Sequence, residues 1–120
     1  MAYLRKENET IEMDYPLSKV WEAIQKAIND LKWSIEEKKE GEHQLKAKTK
    51  KSFMSYSSLF LINAETVKEN VTRVKISAET PVTTLTAIAD FGKTKERLNL
   101  FLSTLSNQLS PQLETKEEKA

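Results

Sequence analysis

The sequence predicts an α+β domain of the form β-α-β(4-5)-α, one antiparallel sheet with two helices packed on one face. Three observations carry this. Residues 17–31 repeat apolar side chains at helical spacing, residues 98–109 do so again, and the chain between them alternates at the period of strands. An antiparallel sheet with one apolar face needs a cover, and two amphipathic helices supply it.

The order starts at "TIEMDY". Ile11, Met13 and Tyr15 point one way and Glu12 and Asp14 the other, the pattern of a half-buried strand. Pro16 stops the pairing and suits a helix start. Leu17, Val20, Trp21, Ile24, Ala27, Ile28 and Leu31 then form one helical stripe, with Lys19, Glu22, Gln25, Lys26, Asn29 and Asp30 opposite. The next segment, "KWSIEEKKEGEHQLKAKT", reads as a hairpin. Pairing Ile35 with Leu45 and Trp33 with Ala47 leaves Lys39-Glu40-Gly41 as a three-residue loop, with Gly41 in the left-handed position and Lys38 opposite Glu42. A second hairpin follows in "LFLINAETVKENVTRVKISAET". Ala64 pairs with Val74, Glu65 with Arg73 and Val67 with Val71, and Asn70 takes the left-handed position. Thr83 to Ile88 is rich in β-branched residues. Gly92 inside a helix would cost about 1 kcal/mol against alanine, so the last helix is placed after it. Leu98, Phe101, Leu102, Leu105 and Leu109 are its apolar stripe. The domain is expected to span 10–109, with 1–9 a flexible N-terminus and 110–120 a disordered tail.

At this point "MDYPLSKVWEAI" resembles the start of START-like (helix-grip) domains, through Pro16 and the Val20-Trp21 pair in the first turns of the helix. The passage from Leu31 straight to Trp33 is also similar to the shorter strand-helix-strands-helix plan of the TATA-binding-protein-like fold. The resemblance implies a C-terminal helix gripped by the sheet, and a cavity between them for a small hydrophobic ligand. Candidate lining residues are Trp21, Ile24, Trp33, Phe60, Ile62, Val74, Ile76, Phe101, Leu102 and Leu105. The alternative for the same residues is a filled core. Polar groups inside would favour the pocket, and Thr66 and Thr72 are candidates for such groups.

Other function classes find little support. The chain has no cysteine and one histidine, so no usual transition-metal set can be assembled, and no metal or cofactor is expected. His43 would fall opposite Glu37, either a proton-transfer pair or an ordinary strand-end pair; no catalytic residue is assigned. The serines of "SFMSYSS" lack a nucleophile motif, and with two glycines there is no phosphate loop. Lys46, Lys48 and Lys50 share a strand face, but Glu36, Glu37, Glu40 and Glu42 lie close. With 19 basic against 18 acidic residues, nucleic acid binding is not expected. No apolar run is long enough for a membrane span, and the charged "MAYLRKENET" is unlike a secretory signal. A cytoplasmic location is expected. In "FMSYSSLFLI" both faces are apolar. With Phe60 and Ile62 inward, Tyr56, Leu59 and Leu61 face out, as candidates for a partner surface or a homodimer.

Overall fold

The structure is a computed structural model that describes residues 2–50, 57–83 and 92–109. Five strands form one antiparallel sheet: β1 (Ala2–Met13), β2 (Ser34–Lys39), β3 (Gln44–Lys48), β4 (Leu59–Lys68) and β5 (Val71–Thr83). Their order across the sheet is β1-β5-β4-β3-β2. Helix α1 (Leu17–Asp30) carries the chain from the β1 edge to the β2 edge, and α2 (Lys93–Leu109) follows β5.

The sheet's inner face follows from the alternation. Leu45 and Ala47 of β3, Phe60, Ile62 and Ala64 of β4, and Val74, Ile76 and Ala78 of β5 are all buried and stand opposite one another in the ladders. The α1 stripe Val20, Trp21, Ala23, Ile24, Ala27 and Ile28 covers this face together with Leu98, Phe101, Leu105 and Leu109 of α2. Burying these side chains is the main source of stability, at about 1.5–3 kcal/mol for each large one.

Helix α1 enters through Pro16, whose carbonyl accepts from the amides of Lys19 and Val20, both at 3.1 Å. The turn before it is tied down by Thr72, whose hydroxyl donates to the Tyr15 carbonyl at 2.8 Å. The exit explains how Trp33 can follow Leu31 so closely. Trp33 N–H donates to the Ile28 carbonyl at 3.1 Å and Lys32 N–H to that of Asn29 at 3.0 Å. This is the paired-bond helix stop that glycine favours. Here Lys32 takes the left-handed position, with φ of 61°.

Several expectations are corrected. The N-terminus is not a loose lead-in, because β1 starts at Ala2 and pairs with β5 from Ala2↔Thr83 to Met13↔Thr72. Its polar residues hid it. An edge strand needs no apolar alternation once a long neighbour offers a ladder, and its charges protect the open side. Lys6–Glu79 at 3.6 Å and Glu12–Arg73 at 2.9 Å tie it across.

The first hairpin has a different register. Ile35 pairs with Ala47, and a bulge before Glu37 leaves Lys38 opposite Leu45 and Lys39 opposite Gln44. A single 3-10 turn at Glu40–Glu42 connects the strands, and His43, with φ of 54°, takes the left-handed position instead of Gly41. Ile35, on the edge strand β2, is exposed. The second hairpin keeps Ala64↔Val74, Glu65↔Arg73 and left-handed Asn70, at φ of 59°. Its turn is tighter than expected, with Lys68 opposite Val71 and an irregularity after Thr66. Thr72 is buried, whereas Thr66 is exposed.

Gly92 has φ of 80° and sits immediately before α2, outside that helix. Pro81 is tolerated in β5 because the β4 ladder has already ended at Leu59↔Glu79, and only β1 pairs there. The expected tail at 110–120, and most of the extended segment from Thr83 to Ile88, lie outside the described residues.

Candidate functional site

The ten residues proposed to line a pocket come together in one place. Trp21, Ile24, Phe60, Ile62, Val74, Ile76, Phe101 and Leu105 are buried, and Trp33 and Leu102 pack against them half-buried. Among the described residues, aromatic rings occupy the space between α2 and the sheet. Trp33 and Phe60 lie 4.7 Å apart between centroids, Phe60 and Phe101 5.9 Å, and Trp33 and Phe101 6.2 Å.

This apolar core ends in a cluster of hydroxyls. Thr80 extends the inward row of Val74, Ile76 and Ala78 by one step, and Ser58 extends the row of Phe60 and Ile62. Thr94 lies one helical turn before Leu98. All three are fully buried. Ser58 Oγ lies 2.5 Å from Thr80 Oγ1, and Thr80 Oγ1 lies 2.9 Å from Thr94 Oγ1. Arg97 Nη1 donates to Ser58 Oγ at 2.6 Å. The backbone of Ser58 is fixed against Thr49 from both sides. Its N–H donates to Thr49 Oγ1 at 2.8 Å, and its carbonyl accepts from Thr49 N–H at 3.0 Å.

The ends of β3, β4, β5 and α2 thus meet at one polar point. Thr49, Ser58, Thr80 and Thr94 are buried there, and Arg97 is half-buried, so Arg97 is where the cluster reaches solvent. A guanidinium only donates, so Ser58 Oγ accepts from it. The Ser58 hydrogen is then available to Thr80, and the Thr80 hydrogen to Thr94. None of these five was among the residues expected from the sequence to line a pocket. Strand parity and the helical repeat were the signals that could have found Ser58, Thr80 and Thr94; nothing in the local pattern singles out Arg97.

The other sequence candidates separate. His43 is not opposite Glu37, because Glu37 pairs with Lys46 at 3.5 Å between the charged groups. His43 instead lies edge-on to Trp21, with centroids 5.3 Å apart, and the Trp21 indole donates to Glu40 Oε1 at 2.7 Å. Leu59 and Leu61 face outward and are half-buried, while Tyr56 lies outside the described residues. Leu61 lies in an open cleft of about 520 Å³ on the sheet's outer face, beside Asn8, Gln44, Asn63 and Ser77. A smaller cleft of about 340 Å³ lies between α1 and the end of α2, lined by Glu22, Lys26 and Gln108. Among the described residues no cluster of metal-ligating side chains occurs, and no helix is long and apolar enough to cross a membrane.

Solved structures with this arrangement are helix-grip folds of the START-like and Bet v1-like kind. Norcoclaurine synthase from Thalictrum flavum, solved as a point mutant with a transition state analogue, matches with a TM-score of 0.67 at 12% identity, over 97% of this chain and 98% of that one. The Zhui aromatase/cyclase from Streptomyces sp. R1128 matches with a TM-score of 0.59 at 11% identity, over 89% and 96%. A protein of Nitrosospira multiformis from a structural genomics consortium matches with a TM-score of 0.61 at 14% identity, over 92% and 99%. Identities this low establish the helix-grip fold alone. A search of curated proteins returns no match. A family model described as "Protein of unknown function (DUF3568)" matches residues 2–79, from β1 through most of β5. Thr49 and Ser58 lie within the matched stretch, and Thr80, Thr94 and Arg97 beyond it. The chain belongs to the DUF3568 family.

Proposed function

We propose that this protein is a non-enzymatic binding domain for a small hydrophobic ligand, held between α2 and the sheet at the end closed by Ser58, Thr80 and Thr94. The observation that carries the reading is this buried hydroxyl cluster at the limit of an apolar core. Valine in place of either threonine would fill a similar volume and need no partner, whereas each buried hydroxyl must be hydrogen-bonded to avoid a desolvation cost. An apolar region ending in a few fixed polar groups is the common design of a small-molecule site. Support also comes from norcoclaurine synthase, whose structure holds a transition state analogue within the same fold. We take the compartment to be the cytoplasm, which the absence of cysteine suits.

Native mass spectrometry at micromolar protein concentration tests the reading. A retained small molecule, or uptake of an added apolar compound with amide shifts at Ser58, Thr80 and Thr94, is the expected result. A bare monomer that takes up nothing would sink it.

A second reading has its own observation. Leu59 and Leu61 lie half-buried on a face that neither helix covers. Self-association through that face would appear in the same spectrum as a dimer.

A further inference from the structure

We infer that the outer face of the sheet carries a second small-molecule site, and that its ligand is a neutral saccharide. The site lies on the side of the sheet away from α1 and α2, so it is independent of the ligand proposed above.

The ladders place the site. On the outer face Asn8, Ser77, Leu61 and Lys46 lie side by side across β1, β5, β4 and β3. Thr10, Lys75, Asn63 and Gln44 form the next row. Together they line the open cleft of about 520 Å³. Small-molecule sites commonly measure roughly 300–1,000 Å³.

Ser77 is the observation that asks for a ligand. Its Oγ is buried, and among the described residues it is the one buried side-chain polar atom without a hydrogen bond. Such a group costs free energy while it stays unpaired, and alanine at the same position would avoid the cost. Asn8, Thr10, Gln44 and Asn63 line the same cleft, and among the described residues their side chains make no hydrogen bond within the protein. Asn8 stands opposite Ser77, is exposed and belongs to an edge strand, so its side chain can turn aside and open the way to the hydroxyl.

The chemistry of these groups names the class. A carboxamide both donates and accepts, so one Asn or Gln side chain can engage two adjacent hydroxyls of a sugar ring. Leu61 offers an apolar surface to the ring's C–H groups. The charges around the cleft balance. Lys46 pairs with Glu37 at 3.5 Å, Lys75 pairs with Glu65 at 3.3 Å, and Lys39 on one edge strand is offset by Glu9 on the other. A balanced rim favours a neutral ligand over an ionised one. None of the described residues lining the cleft is aromatic, so a nucleobase would find no ring to stack on.

The test is amide-shift mapping with maltose, cellobiose and lactose titrated in turn, following the side-chain amides of Asn8, Gln44 and Asn63 as well as the backbone. We expect at least one of these sugars to bind with Kd of about 1 mM or tighter, and to move those resonances together with that of Ser77. Asn63→Val should weaken this binding at least about tenfold, with an unchanged circular dichroism spectrum showing that the variant is folded. Ser77→Ala is the sharper variant. It should weaken sugar binding while leaving the thermal midpoint of the free protein equal or higher, because it deletes an unpaired hydroxyl. A lower midpoint with unchanged sugar binding would make Ser77 a purely structural residue and overturn the inference. Tighter binding of glucose 6-phosphate than of the neutral sugars would overturn the neutral class. No saturable shift with any of these sugars would overturn the site and leave the reading between α2 and the sheet intact. Shifts at this cleft that depend on protein concentration without sugar would assign the face to a second copy of the chain, which also overturns it.

Discussion

Thr80→Val isolates the hydroxyl cluster, because valine nearly matches threonine in shape and leaves no cavity. Thr80 Oγ1 joins Ser58 Oγ at 2.5 Å to Thr94 Oγ1 at 2.9 Å, and all three residues are fully buried. The substitution removes two contacts at once. The Ser58 hydroxyl loses its neighbour on β5, and the Thr94 hydroxyl loses the same partner from the other side. Ser58 Oγ keeps its bond from Arg97 and Thr94 is not left without a partner, so the loss is that of two buried hydrogen bonds at about 0.5–1.5 kcal/mol each, roughly 1–3 kcal/mol in all, offset in part by the better burial of a methyl group. Urea unfolding followed by tryptophan fluorescence would read this as a lower midpoint at unchanged slope. A second arm sharpens the test. Replacing Thr94 by valine as well deletes a bond that Thr80→Val has already broken, so the double variant should lose less than the sum of the single losses. A Thr80→Val midpoint equivalent to within about 0.5 kcal/mol of the parent would refute the reasoning, since surface substitutions alone produce changes of that size.

Three further substitutions test the geometry. Lys32→Gly should stabilise the protein by about 0.5–1 kcal/mol, because Lys32 has φ of 61° and glycine relieves a strain of about 1–2 kcal/mol while adding freedom to the unfolded chain; a lower melting temperature would contradict the helix stop. Gly41→Ala should be neutral or raise stability by up to about 1 kcal/mol, since Gly41 does not have a positive φ and a Cβ there meets nothing within 4 Å; a clear loss in thermal unfolding would restore Gly41 as the turn's left-handed residue. Leu61→Lys should leave the monomer folded, because Leu61 is on the outer face, and it should weaken any dimer seen by sedimentation; loss of folding would show that a layer covers that face.

Much of the fold was legible because the signals were periodic. The α1 stripe from Val20 to Ile28, the α2 stripe from Leu98 to Leu109, and the inward rows on β4 and β5 each follow from spacing alone. Asn70 was readable because asparagine tolerates a left-handed backbone. Lys32 and His43 occupy the same region of backbone space, and neither residue type signals it. Their turns are held by tertiary packing: Trp33 against Phe60 behind one, His43 against Trp21 in the other. The N-terminal half of β1 was hidden for a related reason, since a strand paired along one side only can be polar on both faces. In the candidate site, the apolar members stood out by hydropathy. Ser58, Thr80 and Thr94 are small polar residues at element ends, which local pattern assigns to turns and caps as readily as to a core. Only the assembled sheet and helix bring them together.

The pairing of β1 with β5 also bears on how the protein folds. Of the five strands of this sheet β1 is synthesised first, and it finds its partner only when nearly all of the sheet has been made, since Ala2 pairs with Thr83 and even the nearest pair joins Met13 to Thr72. Contacts so distant in sequence carry a large loop-closure cost and slow the search for the native state. Until β5 emerges, β1 must wait as a lone strand, the kind of segment that recruits neighbouring chains. Lys6, Glu7, Glu9 and Glu12 make it a poor template for such encounters. The charges that concealed this strand from pattern reading would then serve the nascent chain, by keeping it in solution until its partner arrives.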